Sequence, residues 1–355
     1  MRLRSAGYFV SFENNSFSYL KNYLQEHTFS SVFILCDTNT RKHCLPRVKS
    51  KIKAISTAKT FFIPAGEKYK TLETTSACWN FLLANGADRN SLLICIGGGV
   101  VCDLGGFAAS TFMRGIKFIH VPTTLLAMAD ASVGGKTGID LRGYKNMIGT
   151  ITQPQEVFVQ ESFLGTLPQR HLDNGMAEII KAALIGDTVL WNKFLTLKKI
   201  PSKNFTNFIR SSVKVKNKIV IKDPFEKNTR KVLNFGHTAG HAIETYFLHA
   251  KKPLLHGEAI VMGMCVELCL GKITGLTKAQ AAMEAILFLK NNYPLKKFKA
   301  EEINSFLNLL RADKKNKGGK LNFALVEQPG KPHINVTAEV EEVKSAFILY
   351  NNLLV

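Results

Sequence analysis

The stretch Leu233–Glu244, "LNFGHTAGHAIE", sets His237 and His241 four residues apart inside an otherwise apolar helical pattern. Side chains four apart share a helix face, so both imidazoles can approach one point in space. Two imidazoles alone either hold a metal or pack against neighbours. The zinc-protease version of this spacing carries glutamate directly after the first histidine as general base. Thr238 stands there instead, which argues against peptide hydrolysis. A metal site needs further ligands from other helices. "NGMAEIIKAALIGD" (174–187) places Glu178 and Lys181 three apart amid Met, Ile, Ala and Leu. Charge in so apolar a helix is costly unless partnered. "LLHGEAIVMGM" (254–264) puts His256 ahead of Gly257 and Glu258 at the start of another apolar helix. Glu178, His237 and His256 thus offer one carboxylate and two imidazoles from three helices, the donor set of a zinc site with open positions. An ion-paired Glu178 beside a core histidine is the alternative reading.

A second set of residues suits phosphate. "ICIGGGVVCDLGGFAAS" (94–110) reads as a strand, a triple glycine and a helix start. Glycines let backbone approach a ligand, and a helix N-terminus presents free N–H groups to a diphosphate. The spacing is neither Gly-x-Gly-x-x-Gly nor a triphosphate loop, and a tight turn with close helix–sheet packing explains it equally well. In the next segment, "VPTTLLAMADASVGGKTGIDLRGYKNMIGT" (121–150), Asp130, Lys136, Lys145 and Asn146 fall among glycines and small residues, not on an alternating surface face. Lysines beside Gly-Gly suit phosphate or carboxylate.

These residues need a scaffold. In the first half, "SVFILCD" (31–37), "SLLICIGGG" (91–99) and "KFIHVPTT" (117–124) read as buried strands, and Thr71 to Asn85 as a helix stopped by Gly86. Strands alternating with helices predict a parallel sheet covered by helices, a Rossmann-like α/β domain. After "QEVFVQ" (155–160) the apolar residues recur at helical spacing. Helices are predicted over 169–186, 204–222, 233–248, 256–274, 277–292, 301–312 and 338–352, with a short hairpin within 320–337. The division is placed at 165/166, between an α/β domain and an all-α metal-binding domain. At 355 residues, two domains are expected.

Composition narrows the classes. Hydrophobic residues at 46% and charged residues at 21% describe a globular chain without disordered tracts. No secretory signal precedes the first element and no apolar run approaches the ~20 residues that span a bilayer, so a cytoplasmic protein without membrane contact is expected. Seven cysteines lacking Cys-x-x-Cys spacing predict reduced core thiols, Cys265 and Cys269 among them. The net charge of +20 raises nucleic acid, acidic membrane surfaces and anionic substrates as candidates. Zinc-finger spacing, RNA-binding aromatics and basic heptads are missing, so no nucleic-acid partner is expected, and diffuse basicity of this kind is more often a solvated surface.

Taken in order, "GEKYK" (66–70), "GGGVVCDLGGF" (97–107), "MRG" (113–115), "VPTTLLAMADASVGGKTGID" (121–140), "KNMIG" (145–149), "GMAEIIK" (175–181), "LNFGHTAGHAIE" and "HGEAIVMGM" resemble the 3-dehydroquinate synthases. The wider family holds other sugar-phosphate cyclases, and its fold is shared with glycerol and iron-dependent alcohol dehydrogenases. The resemblance implies that Glu178, His237 and His256 hold a zinc or cobalt ion, with His241 beside them or touching substrate. It implies that NAD lies against Asp37, Asn39, Glu67, Lys70, Gly98, Gly99, Asp103, Thr123, Thr124, Lys136, Lys145, Phe163 and Thr166. Substrate contacts are implied for Arg114, Asp130, Lys136, Lys145, Asn146, Lys181, Lys216, Arg230 and Asn234, with Lys314 or Lys315 completing the phosphate site.

The implied reaction converts 3-deoxy-D-arabino-heptulosonate 7-phosphate into 3-dehydroquinate and phosphate by transient oxidation with NAD, phosphate elimination, re-reduction and intramolecular aldol closure. A homodimer is implied as well. Two departures stand out: Cys102 occupies a place where the family often has glycine, and a longer stretch before His256 makes His249 a rival ligand. Another sugar-phosphate cyclase and a glycerol-type dehydrogenase are the competing activities.

Overall fold

The computed structural model describes residues 2–12, 16–142, 144–248, 250–311 and 320–354. His249, Lys314 and Lys315 lie outside them. The strands in chain order are β1 (Arg2–Arg4), β2 (Phe9–Phe12), β3 (Val32–Asp37), β4 (Lys59–Ile63), β5 (Leu92–Gly97), β6 (Lys117–Pro122), β7 (Lys136–Leu141), β8 (Tyr144–Ile151) and β9 (Glu156–Val159). Seven of them form one sheet in the order β1-β2-β9-β6-β5-β3-β4. It is parallel from β2 through β4, and only β1 runs antiparallel. β5, "LLICIG", is buried at every position because neighbouring strands and helices cover it on all sides. The helices α1 (Ser16–Glu26), α2 (Thr38–His43), α3 (Leu45–Lys51), α4 (Leu72–Ala84) and α5 (Gly99–Thr111) connect these strands. From β3 the chain steps to β4 on one side and then, through β5, to β6 on the other. The order therefore reverses between β3 and β5, whose carboxyl ends open the crevice where such sheets bind ligands. α5 packs tightly on this sheet: a Cβ at Gly105 would sit 2.4 Å from Cys95 Sγ.

The second half is helical: α6 (Gln169–Gly186), α7 (Thr188–Leu197), α8 (Thr206–Lys222), α9 (His237–Tyr246), α10 (His256–Ile273), α11 (Ala279–Asn292), α12 (Ala300–Arg311) and α13 (Val340–Leu353), with an antiparallel hairpin of β10 (Leu321–Gln328) and β11 (Lys331–Ala338). α10 is buried without interruption from Ala259 to Gly271, as a helix apolar on all sides must be.

The chain forms two compact units: Met1–Leu172 with Phe205–Pro224, and Asp173–Asn204 with Phe225–Val355. This differs from the division drawn at 165/166 in two ways. The start of α6 goes with the first unit, and α8 returns to it. Three contacts tie α8 there. Ser212 Oγ donates to Ala129 O at 3.1 Å, Lys216 Nζ to Asp130 O at 2.9 Å, and Asn217 Nδ2 to Arg4 O at 2.7 Å.

Two further elements depart from the sequence reading. The helix predicted from 233 starts only at His237, because Gly236 adopts φ +78° behind a tight turn over Thr229–Asn234. The segment holding Lys136, Lys145 and Asn146, read as lying off any alternating face, is the hairpin β7–β8, whose second strand carries only exposed and half-buried residues. α7 was not anticipated at all.

His120 on β6 is buried, and its Nδ1 has no hydrogen-bond partner among the described residues. Burial pushes its pKa down from 6.5 to about 3, so it folds as the neutral ring. The unfolded chain binds the extra proton below pH 6.5, and stability present above that pH is lost as the solution is acidified toward pH 3. Urea melts across this window should show His120 contributing about 1.4 kcal/mol per pH unit. His120→Leu should flatten the acid slope by that amount.

Candidate functional site

The C-terminal unit brings a carboxylate and two imidazoles to one point. Glu178 on α6 is 1% exposed, and neither carboxylate oxygen has a hydrogen bond of good geometry among the described residues. Its Oε2 is ion-paired with the buried Lys181 ammonium one turn on. Its Oε1 faces His256 Nε2 at 3.4 Å and His237 Nε2 at 3.6 Å. One donor atom from each of Glu178, His237 and His256 lies within 4.8 Å of the others, the spacing of groups able to share one cation. Burial alone would raise the Glu178 pKa, but Lys181 and His256 outweigh it and hold the carboxyl at about 2. Burial, with help from Lys181, pushes the His237 pKa well down, which keeps that ring neutral and able to donate a lone pair. For His256 burial works against the proton, yet Glu178 and Glu244 raise the pKa to about 9. A cation entering here must therefore displace a proton from His256. Borderline-soft nitrogen donors on two half-buried histidines plus one hard, buried oxygen, each presented by a helix, fit zinc or cobalt.

The scaffold under these ligands is closely packed. A Cβ on Gly263 of α10 would meet Gly236 O at 2.1 Å, so glycine lets α10 lie directly against the start of α9. Glu267, fully buried on α10, accepts the N–H of Gly236 at 2.6 Å and of Ala239 at 3.0 Å, closing the first turn of the helix that presents His237. At the start of α10, Asn174 Oδ1 accepts the Gly257 N–H at 2.6 Å and Glu258 accepts the Leu255 N–H at 2.8 Å. Sequence reasoning missed Glu267, Asn174 and Glu244. Glu267 was findable, since a carboxylate inside "MCVELCL" must have a partner; Glu244 continues the stripe of His237 and His241 at i+7.

His241 is exposed, with its ring centroid 5.1 Å from His237 and 5.9 Å from His256. Arg230 is buried in the Thr229–Asn234 turn, and Asn234 Nδ2 donates to Glu226 at 3.0 Å.

The first unit gathers most of the residues predicted for a dinucleotide around the carboxyl ends of its strands. Asp37 ends β3 and caps α2 by accepting the Thr40 N–H at 2.8 Å, with Asn39 in the same turn. Gly98 and Gly99 follow β5 and open α5, whose N-terminus has no side-chain cap. A Cβ on Gly98 would press Thr124 Cγ2 at 3.0 Å, so glycine leaves bare backbone beside that threonine at the start of α5. Thr123 and Thr124 follow β6.

Beside them Lys70 Nζ donates to Asp103 at 2.6 Å and to Asn146 Oδ1 at 2.5 Å. Glu67 lies 3.9 Å from Lys70 and 3.7 Å from Lys145. Burial opposes the Lys70 charge, but Asp103 and Glu67 hold its pKa above the ordinary range. Asn146 takes φ +53° in this network, and its N–H donates to Asp140 at 2.9 Å. Asp130 sits in a single π-helical turn, Ala127–Ala131, and receives the Lys216 ammonium at 2.8 Å. Phe163 is core, packed edge-on against Phe17 at 6.0 Å, and Thr166 is exposed in the same turn. Lys136 opens β7 exposed, and Arg114 lies on a separate exposed turn at φ +70°. Cys102, in α5, has helical backbone, which explains why a side chain is tolerated there.

Comparison with solved structures defines the fold. A 2-deoxy-scyllo-inosose synthase solved with carbaglucose-6-phosphate, NAD+ and Co2+ matches at TM-score 0.83 and 23% identity, covering 98% of this chain and 99% of that one. A 2-epi-5-epi-valiolone synthase from Streptomyces hygroscopicus subsp. jinggangensis, solved with NAD+ and Zn2+, gives TM-score 0.83 at 23% identity over 99% and 98% of the two chains. A probable glycerol dehydrogenase from Sinorhizobium meliloti gives TM-score 0.64 at 14% identity, over 97% and 96%. The fold is that of the sugar cyclases, a mainly parallel sheet joined to a helical part.

Sequence comparison is more specific. Residues 60–174 match the family model for the 3-dehydroquinate synthase N-terminal region and residues 175–316 that for the C-terminal region. The 3-dehydroquinate synthase of Parabacteroides distasonis is 38% identical over 337 residues, 94% of this chain and 95% of its own. That of Campylobacter jejuni is 39% identical over 350 residues, 94% and 97%. The chain belongs to the 3-dehydroquinate synthase family.

A Cβ on Gly257 would sit 2.1 Å from the backbone O of Asn174. Gly257→Ala should therefore push α10 from α6, costing about 1–3 kcal/mol as overpacking does. It should also move His256 off the shared point. Thermal unfolding and zinc content of the purified variant check both effects.

Proposed function

We propose that this chain converts 3-deoxy-D-arabino-heptulosonate 7-phosphate into 3-dehydroquinate and inorganic phosphate, the lyase step of the shikimate pathway that leads toward aromatic amino acids. One observation carries the reading. A buried carboxylate and two imidazoles share a point in a chain 38% identical, over 94% of its length, to a relative named for this activity. The cyclases and dehydrogenases matched by fold alone are far more distant in sequence, at 23% and 14%.

Glu178, His237 and His256 are assigned to a divalent ion, zinc or cobalt, which when bound supplies Lewis acidity toward substrate hydroxyls. NAD, assigned to the crevice at β3 and β5, supplies a hydride acceptor that is restored within each turnover. The chain's own residues bind and orient. Lys136, Lys145, Lys216, Arg114, Lys181 and Arg230 are cations suited to the substrate's phosphate and carboxylate. Such fixed charge stabilises developing negative charge without reorganisation. Asp130 pins Lys216, and Asp103 and Asn146 pin Lys70, so these ammonium groups are placed before substrate arrives. Asn234 and His241 are assigned to the substrate's hydroxyls. The basic excess supports an anionic substrate, the seven buried free thiols support a reducing compartment such as the cytoplasm, and a homodimer is the assembly proposed. No helix among the described residues is long and apolar enough to cross a membrane.

With substoichiometric NAD, phosphate release should run through many turnovers while absorbance at 340 nm stays flat. NADH rising in step with product would identify a dehydrogenase instead. Glu178→Gln and His256→Ala should each lose bound zinc and bring phosphate release to background.

A further inference from the structure

A carboxylate that the ligand assignment leaves unused lies beside it. Glu244, on α9, is 3% exposed, although its side chain is a carboxyl group standing in a helix with apolar neighbours. Its Oε2 is 3.3 Å from His256 Nδ1. The opposite nitrogen of that ring, Nε2, faces Glu178 Oε1 at 3.4 Å. His237 repeats the arrangement with a backbone acceptor: Nδ1 lies 3.2 Å from Phe235 O, and Nε2 lies 3.6 Å from the same Glu178 oxygen. Both imidazoles therefore turn Nδ1 to an acceptor and Nε2 to one common point. A neutral imidazole has one N–H and one lone pair, and an acceptor at one nitrogen fixes the N–H there.

Building on the metal reading above, we propose that Glu244 is a positioning residue, whose carboxylate takes the Nδ1–H of His256 and commits Nε2 to the cation shared with Glu178 and His237. α9 then serves the site twice: His237 supplies a ligand, and Glu244, two turns further along the same face, orients the ligand that α10 supplies. A charged acceptor also makes the imidazole a stronger donor.

A rival use of the same atoms exists. His241, Glu244 and His256 also present donor atoms within 4.8 Å of one another, through the other face of His256. His241 is exposed, whereas Glu178 is sealed in the helical core with its Oε1 turned to both Nε2 atoms, so the Glu178 group is the better cage.

The test is zinc affinity by chelator competition on the full-length apoprotein of the parent, Glu244→Gln, Glu244→Ala and Glu178→Gln, with the visible absorption bands of the Co2+-loaded forms. Loss of an outer hydrogen-bond partner weakens a metal about 10- to 100-fold. Glu244→Gln, equal in size, should fall near the lower figure and Glu244→Ala near the upper. The cobalt bands should shift in both, because the ring donates less strongly. Should the alanine variant fail to fold, the glutamine variant decides. Parent-like affinity and unshifted bands in Glu244→Gln, with binding lost in Glu178→Gln, overturn the positioning role alone. Binding lost in Glu244→Gln but kept in Glu178→Gln puts the ion on the His241 side and overturns it too. Unchanged affinity in both glutamine variants removes the metal assignment itself.

Discussion

A charged carboxylate deep in an apolar helix is the constraint around which the C-terminal unit is arranged. Removing a carboxylate from water is tolerated only when countercharge and hydrogen-bond donors replace the lost hydration. For Glu178 the replacement is Lys181 on its own helix and two imidazoles from two other helices. Each partner has to be brought to within a few ångströms of a fixed oxygen. That requirement sets where α9 and α10 begin, how closely they approach, and which way their first side chains point.

The same logic recurs in the layer beneath. Glu267 and Glu244 are buried as well, and each faces a group that must not move: the first turn of α9 for Glu267, the far nitrogen of His256 for Glu244. Buried acids are poor contributors to stability when compared with apolar packing, and they are well suited to fixing one geometry. In the N-terminal unit Lys70 plays the corresponding part. One buried ammonium ties α5, through Asp103, to the hairpin β7–β8, through Asn146.

The ligand helices were legible because Glu178, His237 and His256 interrupt strongly periodic apolar runs, and such interruptions need a reason. The parallel strands were legible too, since a strand buried on both faces is a short unbroken apolar run. What escaped depends on information outside local pattern. Gly236 and the tight turn before it shorten a helix whose periodicity continues smoothly through them, because periodicity does not report a positive φ. β8 keeps Tyr144 and Met147 exposed, so the alternation that marks a half-buried strand is missing. The return of α8 to the first unit rests on the pairing of Lys216 with Asp130, far apart in sequence, which no window of neighbouring residues contains. Glu244 completes the stripe of the two histidines, but a single carboxylate at i+7 carries no spacing signal of its own.

Anomalous diffraction at the zinc edge on crystals of the zinc-loaded protein tests the central claim directly. One ion is expected at about 2.0–2.2 Å, normal for zinc, from a Glu178 oxygen and from Nε2 of both His237 and His256. An ion bound through His256 Nδ1 with Glu244 and His241, or a strong peak away from Glu178, would contradict it.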